Sequence, residues 1–237
     1  MPCPNRGSPP NWCARCAASR GRPPGWVCDM SVNVRFWDRI AQRYARMPVR
    51  DPDAYTRKLE MTRAYMKPGA EVFEFGCGTG TTALNHAPHA AHVTAIDCAP
   101  SMIDIAQEKA TAEGIGNVTF QVANLEEMAR APGCYDMVMA HNVLHLLTDR
   151  HAALAHVHDM LRPGGIFVSS TACAARAPWL FRAIVKTGGA LRLLPLFHLL
   201  TEDQLKSDIT AAGFEIVEEW LPKGGKSALF LIARKVG

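Results

Sequence analysis

The chain has 237 residues, 48% hydrophobic and 20% charged, with a net charge of +4; that length supports one domain around a single core, without disulfide or metal staples. Arg6, Arg15, Arg20 and Arg22 against Asp29 put +3 on residues 1–29 and leave +1 on the rest, which excludes the global basic footprint of a nucleic-acid-binding protein. No run of 18 apolar residues is present to cross a membrane as a helix.

Residues 1–29 carry six prolines and no periodic apolar face, so a disordered leader is expected there. Cys13-x-x-Cys16, flanked by Cys3 and Cys28, raises zinc, but structural zinc wants two tightly spaced pairs and only one exists. Interpretable patterning begins just after Met30, which makes Met30 the favoured start of the natural chain and 30–237 the functional domain. The leader has no apolar core of the kind a signal peptide needs. Cys77, Cys98, Cys134 and Cys173 sit in or beside apolar runs, where a free thiol behaves as a small hydrophobe. A cytoplasmic, reducing setting is the simplest expectation.

In chain order, Phe36, Trp37, Ile40 and Tyr44 recur at helical spacing, and a second helix is expected from Pro52 to about Met66; residues 30–67 thus form an N-terminal helical pair. Val72, Phe73 and Phe75 make a short strand that ends in glycines, followed by a helix from Thr81. Val93 to Ile96 is a second strand, closing on Asp97, and Ala99 to Glu113 a helix. Val118–Val122 and Tyr135–Ala140 are further strands, His151–Leu161 a helix, and Gly165–Ser170 a fifth strand introduced by the turn Arg162-Pro163-Gly164-Gly165. Residues 172–200 read as an insertion rich in Leu, Phe and Trp. Thr201 and Gln204 have capping-box spacing for a last helix. Phe214–Trp220 and Ser227–Ala233 then form a hairpin through Pro222-Lys223-Gly224-Gly225. Alternating strands and helices predict an α/β fold with a parallel sheet wound on both faces, and the hairpin an antiparallel last strand.

The chemistry concentrates at Glu74-Phe75-Gly76-Cys77-Gly78-Thr79-Gly80. Glycines there let the chain turn sharply and let a ligand approach the backbone, at the carboxyl end of a strand where such sheets bind ligands. Asp97 ends the next strand, 21 positions after Gly76, where a carboxylate can accept from two ribose hydroxyls. A dinucleotide fingerprint wants a third glycine where Thr81 stands, which disfavours an NAD-dependent oxidoreductase. A cofactor with an amino-acid tail instead of a pyrophosphate needs backbone partners and a nearby acid, for which Glu74 is placed.

On these residues the chain resembles the class I S-adenosylmethionine-dependent methyltransferases, over roughly residues 33–237, and most of all their small-molecule, ubiquinone/menaquinone-type branch (methyltransferase type 11/12). The resemblance implies a Rossmann-like seven-stranded sheet of order 3-2-1-4-5-7-6 with strand 7 antiparallel. It also implies S-adenosyl-L-methionine as cofactor. Glu74, Gly76, Cys77, Gly78 and Gly80 would surround the methionine part, Asp97 the ribose, Cys98 and Met102 the adenine face, and Asn124 and Leu125 the adenine edge. Asn124 stands where the family often has Asp; its amide oxygen can still accept. His141-Asn142 follows the fourth strand, at the position that lines the transfer site.

The resulting expectation is methyl transfer by in-line displacement to a small, apolar acceptor such as a quinone precursor or lipid; the alternative readings are an oxidoreductase and a non-catalytic S-adenosylmethionine-binding protein. His141 is the candidate general base, since an unperturbed imidazole titrates at about 6.5. His141 and His145, four apart, could share a helix face, but without a third ligand of fixed geometry no metal is expected. His86, His89 and His92 are read as a surface loop without a role. Trp179–Leu200, with Arg182, Lys186 and Arg192, is read either as core packing or as a lid over the acceptor that touches a membrane surface.

Overall fold

A computed structural model describes residues 30–125, 128, 132–175, 177–190, 194–222 and 228–237, the side chains of 30–33, 186 and 190 excepted. The leader with its cysteines, Arg192, the Lys186 side chain and most of the C-terminal link lie outside the described residues.

Two helices open the domain: α1 (Met30–Ala45) and α2 (Pro52–Ala64). Asp51 caps α2 by accepting from the Ala54 N–H at 3.0 Å, and Pro52 occupies the first turn, where a missing N–H costs nothing. Then follow β1 (Glu71–Phe75), α3 (Thr81–His86), β2 (His92–Asp97), α4 (Pro100–Glu113), β3 (Val118–Val122), β4 (Tyr135–His141), α5 (Arg150–Met160), β5 (Leu161–Thr171), α6 (Trp179–Ala190), α7 (Glu202–Ala211), β6 (Phe214–Trp220) and β7 (Leu229–Lys235). The capping box at Thr201 and Gln204 forms in full.

The sheet has the order β3-β2-β1-β4-β5-β7-β6. β3 through β5 pair in parallel, and β7 runs antiparallel to both β5 and β6. Helices cover both faces, so the central strands are buried on both sides and read as near-continuous apolar runs. Phe73, Phe75, Leu154, Phe167 and Leu205 belong to one core layer; Val72, Leu84, Ile103, Met137 and Phe230 belong to the other. A smaller cluster seats α1 on α4 through Ala41, Trp37, Met102 and Ile105. This arrangement brings the ends of β1, β2, β4 and β5 to one rim.

Four expectations need correction. The turn Arg162–Gly165 does not precede the fifth strand but bulges within it: Tyr135 pairs with Leu161 and Met137 with Ile166. Buried Leu161 keeps the pairing while Pro163 and Gly164 stay exposed. His86 is not on a surface loop. It is fully buried on α3, three residues after buried Ala83 and so on the same inward face. Nor is Trp179–Leu200 ordinary core: Leu200 is buried, but Trp179, Leu180, Phe181 and Ile184 on α6 are exposed. Cys77, Cys98 and Cys173 are free thiols, whereas Cys134 is disulfide-bonded.

Gly80 shows how tightly the first turn is fitted. Its φ is +73°, and an added Cβ would lie 2.7 Å from both the Ala106 Cβ and the Phe120 ring. Left-handed strain and overpacking together make Gly80→Ala an expected loss of about 2–4 kcal/mol of stability, to be measured by urea unfolding; an unchanged midpoint would refute the tight fit.

Candidate active site

The loop between β1 and α3 is held from three directions. Cys77 N–H donates to the Ile96 carbonyl at 3.0 Å. Gly78 N–H donates to Asp97 Oδ2 at 2.9 Å. From α4, Lys109 Nζ donates to the Thr79 carbonyl (3.1 Å), the Thr79 hydroxyl (3.0 Å) and the Thr81 hydroxyl (3.1 Å). Gly76, at φ +65°, passes so close to the segment after β4 that a Cβ would meet Val143 at 2.6 Å. The loop is therefore a preformed cradle rather than a slack connection.

Asp97 serves this cradle structurally: its second oxygen accepts from the Ala99 N–H at 2.9 Å. Burial pushes its pKa up, while the Ala99 and Gly78 N–H groups pull it back. Each oxygen retains lone-pair capacity for a ligand hydroxyl. Glu74 is more extreme. It is 1% exposed, and its Oε2 is buried with no hydrogen-bond partner. Burial, with the charge of Asp97, pushes its pKa up to about 8, against a small opposing effect of the Ala83 N–H.

Two adjoining cavities meet at Gly76, Gly78, His141 and Asn142. The first lies over β1 and β2, walled by Asp97, Cys98, Met102, Asn124 and Leu125, with Trp37 and Tyr44 reaching over from α1. Those two rings meet edge to face, with centroids 6.0 Å apart. The second is lined by Glu74, Cys77 and Thr79 from the cradle, by α2, and by Ser170 at the end of β5. Every residue expected at the cofactor therefore lines a cavity except Gly80, which lies behind the loop against Ala106 and Phe120. Burial pushes the Cys98 thiol up to about 12 and raises that of Cys77 as well, so neither is a ready nucleophile.

His141 ends β4 and His145 sits in a short 3-10 turn, its ring tilted against Phe197 with centroids 4.6 Å apart; they share no helix face. Burial, with the nearby Lys58 charge second, pushes His141 down to about 4. Its ring is neutral at pH 7, and Nε2 has no partner. It is a weaker base than an exposed histidine and a free hydrogen-bonding group. Among the described residues, no group of three His, Cys, Asp or Glu could hold a metal ion.

Sequence reasoning missed the far wall of the second cavity. Lys58 from α2 donates to the Ser170 hydroxyl at 2.9 Å, across 112 residues of chain. Tyr55 and His86 also line it. Both ring nitrogens of His86 are unpartnered, and burial, with His141 next, pushes its pKa down to about 3. The helical period alone could have turned His86 inward; nothing local marks Lys58.

A family profile described as "Methyltransferase domain" matches residues 72–165, from β1 to the start of β5. The chain is 28% identical over 201 residues to a ubiquinone biosynthesis O-methyltransferase of Azorhizobium caulinodans, covering 79% of each chain. It is 33% identical over 166 residues to the protein of the same name from Xanthomonas euvesicatoria pv. vesicatoria, covering 68% of this chain and 65% of that one, just under two thirds of its length. Among solved structures, magnesium protoporphyrin IX methyltransferase from Synechocystis PCC 6803, crystallised with bound SAH, superimposes with a TM-score of 0.66 at 18% identity, covering 87% of this chain and 100% of that one. The sheet order, the glycine cradle with its two acids and these likenesses converge: residues 72–165 carry a methyltransferase domain, and these features together support a class I S-adenosylmethionine-dependent methyltransferase with S-adenosylmethionine as its cofactor.

Proposed function

We propose that the cofactor lies along the first cavity with its amino-acid tail entering the second at the cradle, that the rest of the second cavity takes the acceptor, and that the methyl goes to a small acceptor with an apolar body. Glu74 carries this reading. A buried carboxyl oxygen without a partner is costly unless a ligand completes it, and a cationic amino-acid tail in the cradle does so. Asp97 then takes the ribose hydroxyls, Asn124 and Leu125 the adenine edge, and Cys98 and Met102 the adenine face. Gly76, Cys77 and Gly78 flank the methionine part, and Gly80 shapes the cradle from behind.

When bound, S-adenosylmethionine supplies a methyl on a sulfonium that leaves as a neutral thioether. The chain's own contribution is position: holding the acceptor in line is worth on the order of 7–11 kcal/mol at best. His141, neutral and at the junction of the cavities, is read here as the group that orients the acceptor by hydrogen bonding rather than as a strong base. The test is calorimetry with S-adenosylhomocysteine, followed by a screen of quinone precursors and lipids for S-adenosylhomocysteine release. Micromolar binding and turnover with an apolar acceptor are expected; no affinity for S-adenosylhomocysteine would overturn the reading.

Helix α6 carries an exposed apolar face. Trp179 is 77% exposed, and Leu180, Phe181 and Ile184 stand beside it with Arg182 among them. No helix among the described residues is long and apolar enough to cross a membrane. We infer that α6 lies on an anionic lipid surface, each apolar side chain gaining about 2 kcal/mol when fully withdrawn from water. Flotation with anionic vesicles is expected to carry the protein upward, and Trp179→Ala with Leu180→Ser to leave it behind. Absence of flotation with either vesicle charge rules this contact out.

A further inference from the structure

The cradle is held by two sets of anchors, and they serve different cavities. Its first half is tied to β2: Cys77 N–H donates to the Ile96 carbonyl at 3.0 Å and Gly78 N–H to Asp97 Oδ2 at 2.9 Å. Gly76 and Gly78 in this half reach the first cavity, the one proposed for the nucleoside. The second half, Thr79 to Thr81, is tied to α4. Gly80 packs on Ala106, and Lys109 stands three residues further along the same face of that helix. Its ammonium donates to the Thr79 carbonyl, the Thr79 hydroxyl and the Thr81 hydroxyl, at 3.1, 3.0 and 3.1 Å. Thr79 and Thr81 line the second cavity and not the first, and Lys109 lines neither.

An ammonium has three donors, so Lys109 is wholly committed to this one loop. All three of its acceptors are neutral. No carboxylate of the described residues lies within ion-pair distance of it; burial lowers the Lys109 pKa, and Glu113 opposes this only from farther off. A charge part-buried among neutral oxygens carries a desolvation cost that a neutral donor would avoid, so packing alone does not account for it. Its place gives the charge a use. Lysine only donates, so both threonine hydroxyls accept from it and keep their own protons for another acceptor. A positive charge behind the loop also favours negative charge in front of it. The amino-acid tail of the cofactor carries an ammonium, for which Glu74 is placed, and a carboxylate, which such a field favours.

We propose that Lys109 is a positioning residue for the cofactor's amino-acid tail: without touching the cofactor, it fixes Thr79 and Thr81 so that the tail-side half of the cradle is preformed for a ligand bearing a carboxylate. The inference rests on the S-adenosylmethionine reading above and divides the grip on that cofactor into two separable parts.

Calorimetry on the full chain tests it with two probes. S-adenosylhomocysteine has the tail; 5′-methylthioadenosine keeps the nucleoside and the sulfur but carries a methyl in the tail's place. The parent protein is expected to bind S-adenosylhomocysteine the more tightly. Lys109→Met is expected to weaken S-adenosylhomocysteine about tenfold and to leave 5′-methylthioadenosine within about twofold of the parent. Thr81→Val, at an exposed position, removes one of the three acceptors; it is expected to weaken S-adenosylhomocysteine alone, about threefold, and carries the test if Lys109→Met does not fold. Equal weakening of both probes would mean that the lysine only holds the loop together, and overturns the proposal. Unchanged affinity for S-adenosylhomocysteine in the variant that folds overturns it as well, as does a parent protein that binds the two probes equally. Failure of the parent to bind S-adenosylhomocysteine at all brings down the cofactor reading instead, and this one with it.

Discussion

Asp97→Ala is expected to weaken S-adenosylhomocysteine binding by about a hundredfold, close to 3 kcal/mol. Two losses combine. The ribose hydroxyls lose a charged acceptor, and the N–H groups of Gly78 and Ala99, each at 2.9 Å from the carboxylate, lose theirs. A buried donor left unpaired costs about 1–3 kcal/mol, and here the loss also slackens the cradle. Asp97→Asn keeps one acceptor oxygen and is expected to cost about tenfold. Calorimetry reads both; unchanged affinity in Asp97→Ala would falsify the role of the acid ending β2.

Binding of S-adenosylmethionine at pH 7 is expected to release about one proton. With a pKa of about 8 in the free protein, Glu74 is mostly protonated at that pH. A cationic ligand beside it favours the carboxylate, so its pKa falls on binding and the proton leaves. Affinity should therefore rise with pH up to about 8 and level off above it. Calorimetry in two buffers of different ionisation enthalpy gives the proton count, and Glu74→Gln should remove both the release and the slope. A parent protein that binds without releasing a proton has its cation elsewhere. The same shift acts on folding. Because the folded pKa is raised, the stability contributed by protonated Glu74 is fully present below its unfolded value and is lost as pH rises to about 8. His86, His141 and His145, all pushed down by burial, give the opposite slope, with stability falling as pH drops below about 6.5.

The half of this site proposed for the cofactor was legible because it is local. Glu74, Gly76, Gly78 and Asp97 lie on two consecutive strands and the turn between, and each is constrained by backbone geometry that restricts residue type. Alternation and the terminal hairpin gave a parallel sheet with an antiparallel last strand; the strand order itself came from the family resemblance. The α2 wall of the second cavity was not legible, because it is assembled by distant pairing. Lys58 and Tyr55 read as polar positions on an amphipathic helix until α2 lies across the ends of β4 and β5. His141 was visible, but its basicity was not: the fall to about 4 comes from enclosure and from Lys58, neither of which has a local signature. The turn at Arg162–Gly165 was misplaced for a related reason, since only pairing with β4 shows that Leu161 already belongs to the strand.

The strand order has an engineering consequence. The wall proposed to grip the nucleoside hangs from β1 and β2, while much of the second cavity is walled by α2 and the end of β5, and the two meet at Gly76, Gly78 and the end of β4. A chimera that keeps residues 71–141 and takes its flanking segments from a relative should retain its grip on the nucleoside while changing what it methylates. New substrate scope on this scaffold is then a matter of grafting its outer segments, with the glycine turn left untouched.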